Sequence, residues 1–151
     1  MRIPYQQVNT FTDDPFGGNP AGVCFLTRWL PDRMMQAIAA ENDLAETAFL
    51  VPKGGDHDLR WFTPTIEMDL CGHATLAPAF LLFTELGHRA DTVRFHSKSG
   101  QLGASRRGDV TELDFPAWRA EPCEAPPDLV RGLGRKPVAV LGREYLVLPT
   151  C

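Results

Sequence analysis

The sequence has little that would tie it to a membrane, a nucleic acid or an oxidising compartment. Its longest apolar run, Leu76 to Phe83, falls far short of the roughly 20 residues that span a bilayer. No apolar stretch follows Met1-Arg2-Ile3-Pro4-Tyr5-Gln6, so no secretory leader is expected. A basic stripe is also lacking: 15 Lys and Arg stand against 19 Asp and Glu, the net charge is −4, and Arg106-Arg107 is only a pair. Nucleic acid is therefore not an expected partner. Only four cysteines occur, Cys24, Cys71, Cys123 and Cys151, and none has C-x-x-C spacing. Without a leader, that pattern argues against a disulfide framework. Cys24, in Val23-Cys24-Phe25-Leu26, reads as an apolar filler of the core. A cytoplasmic protein is the expectation.

Metal spacing is missing too. A zinc site on Cys71 and His73 would need two more ligands, and His57, His88 and His96 are scattered along the chain. No metal and no cofactor are expected.

What is present points to one ordinary domain with a real core: 151 residues, 44% hydrophobic and 23% charged. The most informative stretch is Asp69-Leu70-Cys71-Gly72-His73-Ala74-Thr75, a thiol and an imidazole separated by glycine. An apolar run continues to Leu86. Such a run reads as a helix buried on nearly every side. Pro78 belongs in a first turn, so the helix is expected to open near Thr75 to Pro78, with Thr75 as its N-cap. The amides from Gly72 to Thr75 would then lack intrahelical partners and could hold an anion. Gly72 would allow close approach of backbone to a ligand.

Elsewhere, strands are expected at Gln6–Phe11, Ala21–Leu26, Ala45–Val51, Leu59–Thr63, Thr92–His96, Gly100–Ser105 and Val110–Phe115. The segment Thr12 to Pro20, with two glycines and two prolines, reads as a tight, specific loop. Pro31-Asp32 opens an amphipathic helix to about Glu41. Its inner face is expected at Met34, Ala37 and Ile38, and Asn42-Asp43 ends it. Glu121 to Pro127 reads as a linker, Leu129 to Leu133 as a short helix, and Val138 to Leu148 as one or two strands. The architecture implied is α+β: a sheet curled into a barrel around a central apolar helix.

Five blocks carry a resemblance. They are Phe11-Thr12-Asp13-Asp14-Pro15-Phe16-Gly17-Gly18-Asn19-Pro20-Ala21-Gly22-Val23, Asn42-Asp43-Leu44-Ala45-Glu46-Thr47-Ala48-Phe49, Arg60-Trp61-Phe62-Thr63-Pro64-Thr65, Asp69-Leu70-Cys71-Gly72-His73-Ala74-Thr75-Leu76-Ala77 and Leu113-Asp114-Phe115-Pro116-Ala117. In this order, they resemble the PhzF-like phenazine-biosynthesis isomerase family. The resemblance implies the diaminopimelate-epimerase-like fold, two similar lobes with a site in the cleft between them. Residues 1–118 read as the N-terminal barrel lobe. Residues 119–151 read as a linker and the start of a truncated second lobe. The second-lobe segment of the form Asp-Pro-x-Thr-Gly-Ser, which supplies an opposing acid and a second carboxylate-binding helix start, is missing.

The resemblance further implies a cofactor-independent isomerase or epimerase. It would move a proton at a carbon beside the carboxylate or carbonyl of a small metabolite. Carried over, Glu46 is the acid/base and His73 assists it. Cys71 stands where related racemases hold a catalytic base, and is left open between that role and a packed side chain. Asn19, Gly72, Ala74 and Thr75 are the expected substrate-binding residues. A lobe alone exposes an apolar cleft face, so a second lobe or a second copy of the chain is the expected partner. Two other readings are kept: an inactive lobe serving as a binding module, and a cysteine-based racemase.

Overall fold

The computed structural model describes residues 2–117 and 119–142. The chain divides into two compact units, with the boundary between Phe115 and Pro116. The first unit holds one mixed sheet, two helices and the core.

Strand β1 (Tyr5–Thr10) pairs antiparallel with β2 (Asn19–Phe25). The loop between them is built as its composition suggests. The Thr12 hydroxyl accepts the Asp14 N–H at 2.9 Å, and the Asp14 carboxylate accepts the Phe16 N–H at 3.0 Å. Gly18 has φ +75°, and a Cβ there would stand 2.2 Å from the Thr10 carbonyl oxygen, so only glycine fits.

Helix α1 (Asp32–Asn42) crosses from β2 to β3 (Glu46–Lys53), and the two strands pair in parallel. Its inner face is Met35 and Ala39, with Ile38 half-buried, whereas Met34 is 38% exposed and Ala37 is exposed. The expected face was one residue off. The i, i+4 spacing fits 34/38 and 35/39 equally, and the roll of α1 against β3 decides between them. Asp43 closes the helix in the left-handed region at φ 50°.

Strand β4 (Asp56–Phe62) pairs antiparallel with β3 and carries the short β5 (Glu67–Met68). Helix α2 (His73–Thr84) then crosses over to β6 (Thr92–Ser97), which runs parallel to β4. Strands β7 (Gly100–Arg107) and β8 (Val110–Asp114) complete a meander.

The order β1-β2-β3-β4-β6-β7-β8 curls around α2, which touches strands at both ends of that order. Alternation along each strand sorts the interior. Ala21, Val23, Ala48 and Leu50 face α2, while Cys24 and Phe49 face α1. Among the described residues β1 and β8 do not pair. The helix therefore keeps one less-covered stripe, where Phe80 is 44% exposed.

Pro78 sits inside α2, not in its first turn, because the helix opens at His73 with Gly72 before it. A proline there has no N–H for the carbonyl four residues back, which is that of Ala74. The indole Nε1–H of Trp61, on β4, donates to that carbonyl at 3.1 Å. A buried donor thus replaces the missing amide, and the interior proline is tolerated. Thr75 is not the N-cap: it lies within the first turn, and its hydroxyl donates to the Cys71 carbonyl at 2.5 Å.

The second unit contains β9 (Glu121–Pro122), which pairs with β10 (Leu141–Gly142), and α3 (Pro127–Leu133). The expected linker at Glu121 to Pro127 therefore includes a strand. Residues 143–148 of the expected terminal strands lie outside the described residues. No helix among the described residues is long and apolar enough to cross a membrane.

Candidate active site

Three of the expected residues meet at the start of α2. Glu46 is the first residue of β3, in register with Ala21 of β2. It shares the face of Ala48 and Leu50, so its side chain turns towards α2. Only 4% of Glu46 is exposed, and the same holds for His73, the first residue of α2. Glu46 Oε2 lies 3.2 Å from His73 Nε2. Cys71 Sγ lies 3.4 Å from the ring's Nδ1. The carboxyl, thiol and imidazole therefore form one buried cluster.

The close approach of Glu46 and His73 is not an aligned hydrogen bond. Both Oε2 and Nε2 are buried without a hydrogen-bond partner among the described residues. Buried polar atoms are nearly always satisfied, so this open facing pair is an exception to the rule.

Burial also sets the charge. Desolvation raises the Glu46 carboxyl above its ordinary value, and a hydrogen bond with Cys71 offsets this in part. Desolvation lowers His73 below its ordinary value, so its ring is neutral at pH 7. The carboxyl is moved towards neutrality, where it can both take and give a proton.

Backbone donors lie beside this cluster. The amides of Thr75 and Leu76 both turn to the Gly72 carbonyl, at 3.0 Å each. That leaves the amides of His73 and Ala74 without an intrahelical acceptor, at the positive end of the helix dipole. Gly72 has φ −72°, an ordinary value, and a Cβ there would meet nothing within 4 Å. Neither backbone conformation nor packing requires glycine at 72, and the space beside it is open.

Asn19 opens β2 two residues before Ala21, on the same face, and its carbonyl accepts the Thr10 hydroxyl at 3.0 Å. Trp61 and Thr75 position the helix start: one occupies the Ala74 carbonyl, the other the Cys71 carbonyl. Trp61 was not singled out from the sequence. The signal was available in Pro78, which strands a carbonyl that some buried donor must meet. One ligand atom each of Glu46, Cys71 and His73 also lies within 4.8 Å of the others, a group able to hold a metal ion.

Known proteins resemble the chain in sequence and in fold. The sequence pattern of the family described as phenazine biosynthesis-like protein (PhzC-PhzF) matches residues 8–132. An uncharacterized isomerase of Pseudomonas aeruginosa is 50% identical over 149 residues, covering 98% of this chain and 58% of that protein. The crystal structure of a PhzF-family phenazine biosynthesis protein from Enterococcus faecalis superposes with a TM-score of 0.85 at 45% identity. It covers 92% of this chain and 54% of the other. A structure described as a predicted epimerase from Pseudomonas aeruginosa superposes with a TM-score of 0.64 at 29% identity, over 83% of this chain and 46% of that one. The chain thus spans about half the length of these relatives.

Proposed function

Because the chain belongs to the phenazine biosynthesis-like (PhzF) family, whose relatives are named isomerases, we propose that it carries the acid/base half of a cofactor-independent isomerase site. The reaction is transfer of a proton at a carbon beside the carboxylate or carbonyl of a small metabolite. The observation that carries the reading is the buried, unaligned approach of Glu46 Oε2 to His73 Nε2 at 3.2 Å, beside the first amides of α2.

Such a carbon is a weak acid. Removing its proton needs a base of suitable pKa and donors for the negative charge that develops. Glu46, raised towards neutrality by burial, exchanges the proton with the carbon. His73, neutral and 3.2 Å away, is placed to pass that proton on once bound substrate brings the two groups into line. The amides of His73 and Ala74 face the developing enolate oxygen. A single well-placed donor of this kind is worth about 3–4 kcal/mol. Asn19 and the open space at Gly72 fit the substrate's polar end. The opposite wall of the cleft comes from a second lobe or a second copy of the chain.

The test is hydrogen–deuterium exchange at the carbon of small carboxylates incubated with the chain in D2O. Glu46→Gln is expected to abolish exchange while the fold is kept. Undiminished exchange in that variant overturns the assignment. The contact of Cys71 Sγ with the ring at 3.4 Å supports one alternative, a cysteine-based racemase. In that case Cys71→Ser is the variant that loses exchange and Glu46→Gln retains it. A chain that binds carboxylates but exchanges none of them is the binding-module reading.

A further inference from the structure

We infer that Glu46, Cys71 and His73 form a binding site for a single zinc-class divalent cation, and that the seated ion blocks the proton chemistry of the same three groups. The second half rests on the isomerase reading above; the first half does not.

The donor set comes first. A carboxylate, a thiol and an imidazole each place one ligand atom within 4.8 Å of the others, and all three residues are buried. Donors bound 2.0–2.3 Å from a tetrahedral zinc stand roughly 3.3–3.8 Å apart. Closing on an ion therefore needs side-chain movement on the order of 1 Å. The spacing of histidines along the sequence points away from zinc because the third donor, Glu46, sits on a different element from Cys71 and His73.

The second observation is independent of spacing. Oε2 of Glu46 and Nε2 of His73 are buried, face each other, and have no hydrogen-bond partner among the described residues. An ion between them would satisfy both lone pairs at once. The chemistry then selects the metal. Magnesium and calcium favour all-oxygen shells, whereas sulfur with imidazole suits zinc and its borderline neighbours. Three protein ligands leave a fourth position for water or a small anion, as in open zinc sites.

On binding, the Cys71 thiol releases its proton to solvent and Sγ bonds to the metal. Glu46 likewise releases to solvent any proton it carries, and its carboxylate and a neutral His73 nitrogen supply the other two lone pairs. No group changes oxidation state. The pair of electrons that would take a substrate proton is then committed to the ion.

The test titrates the metal-free chain with Co2+ and follows the thiolate-to-cobalt charge-transfer band in the near ultraviolet. Expected are one cobalt per chain, displacement by Zn2+, and loss of the band in Cys71→Ser. His73→Gln, checked for folding by circular dichroism, should weaken uptake at least tenfold, while Cys123→Ser leaves it unchanged. A band that survives Cys71→Ser, or that vanishes in Cys123→Ser, overturns the site, as does a folded chain that takes up no cobalt. One equivalent of Zn2+ should stop deuterium exchange; undiminished exchange overturns the inhibitory half. The cobalt spectrum needs no turnover. A chain that binds the metal but exchanges no hydrogen therefore refutes the isomerase reading and upholds the metal site.

Discussion

The indole N–H of Trp61 donates to the carbonyl oxygen of Ala74 at 3.1 Å, in the position that the amide of residue 78 would fill if it were not proline. Trp61 is 1% exposed, so the bond is made where water cannot substitute. Trp61→Phe should destabilise the protein by about 1–3 kcal/mol, the cost of leaving a buried acceptor unmet. Pro78→Ala supplies a backbone donor for the same carbonyl. The loss from Trp61→Phe should therefore be smaller in the Pro78→Ala background, and a double-mutant cycle by denaturant unfolding measures the difference.

Stability should depend on pH in opposite senses at the two central residues. Burial holds Glu46 above its ordinary value of 4.5, so the folded protein binds this proton more tightly than the unfolded chain. Its contribution is complete below pH 4.5 and is lost as pH rises through the folded value. Glu46→Gln should thus melt higher than the parent protein at pH 7, with the gap closing towards pH 4.5. His73 is held below its ordinary value of 6.5. Its contribution is present above pH 6.5 and is lost as pH falls, so His73→Gln should gain on the parent only on the acid side. Thermal melts followed by circular dichroism between pH 4 and pH 8 separate the two.

Activity should fall steeply where stability rises. General acid/base catalysis is worth about a hundred- to ten-thousand-fold, and Glu46→Gln should lose a factor in that range in deuterium exchange.

Gly72→Ala tests the open space. No strain is expected, since φ is −72° and an added Cβ meets nothing within 4 Å. Stability should change by less than about 1 kcal/mol. Exchange should nevertheless weaken through a higher KM, because the methyl group stands where the substrate approaches the helix start. Steady-state kinetics beside an unfolding curve would show the split.

Thr75→Val keeps shape and removes the hydroxyl that donates to the Cys71 carbonyl at 2.5 Å. A loss of about 1–2 kcal/mol is expected, with Thr75→Ser restoring most of it. If the valine variant is as stable as the parent, the hydroxyl does not anchor the helix start.

Much of this was legible in the sequence. The strand segments, the helix end at Asn42-Asp43 and the apolar run of α2 follow from local patterning, and the five blocks named Glu46, Cys71 and His73 from the sequence alone. The unread parts depend on contacts distant in sequence. Met34 and Met35 fit a helical stripe equally well, and only the roll of α1 over β3 buries Met35. Pro78 reads as a first-turn residue because a proline in mid-helix strands a carbonyl, and its remedy, Trp61, lies on another element. The strand at Glu121–Pro122 is two residues long and exists only through its pairing with Leu141–Gly142, too short to leave a pattern.

The residues that build this half-site lie almost wholly between Glu46 and Thr75: the carboxyl, thiol, imidazole and helix start, along with Trp61 and the Thr75 hydroxyl that fix them. One contiguous stretch of the chain therefore carries both the ionisable cluster and the groups that fix it. Duplication or recombination with breakpoints outside that stretch transmits the cluster whole, as a single heritable cassette.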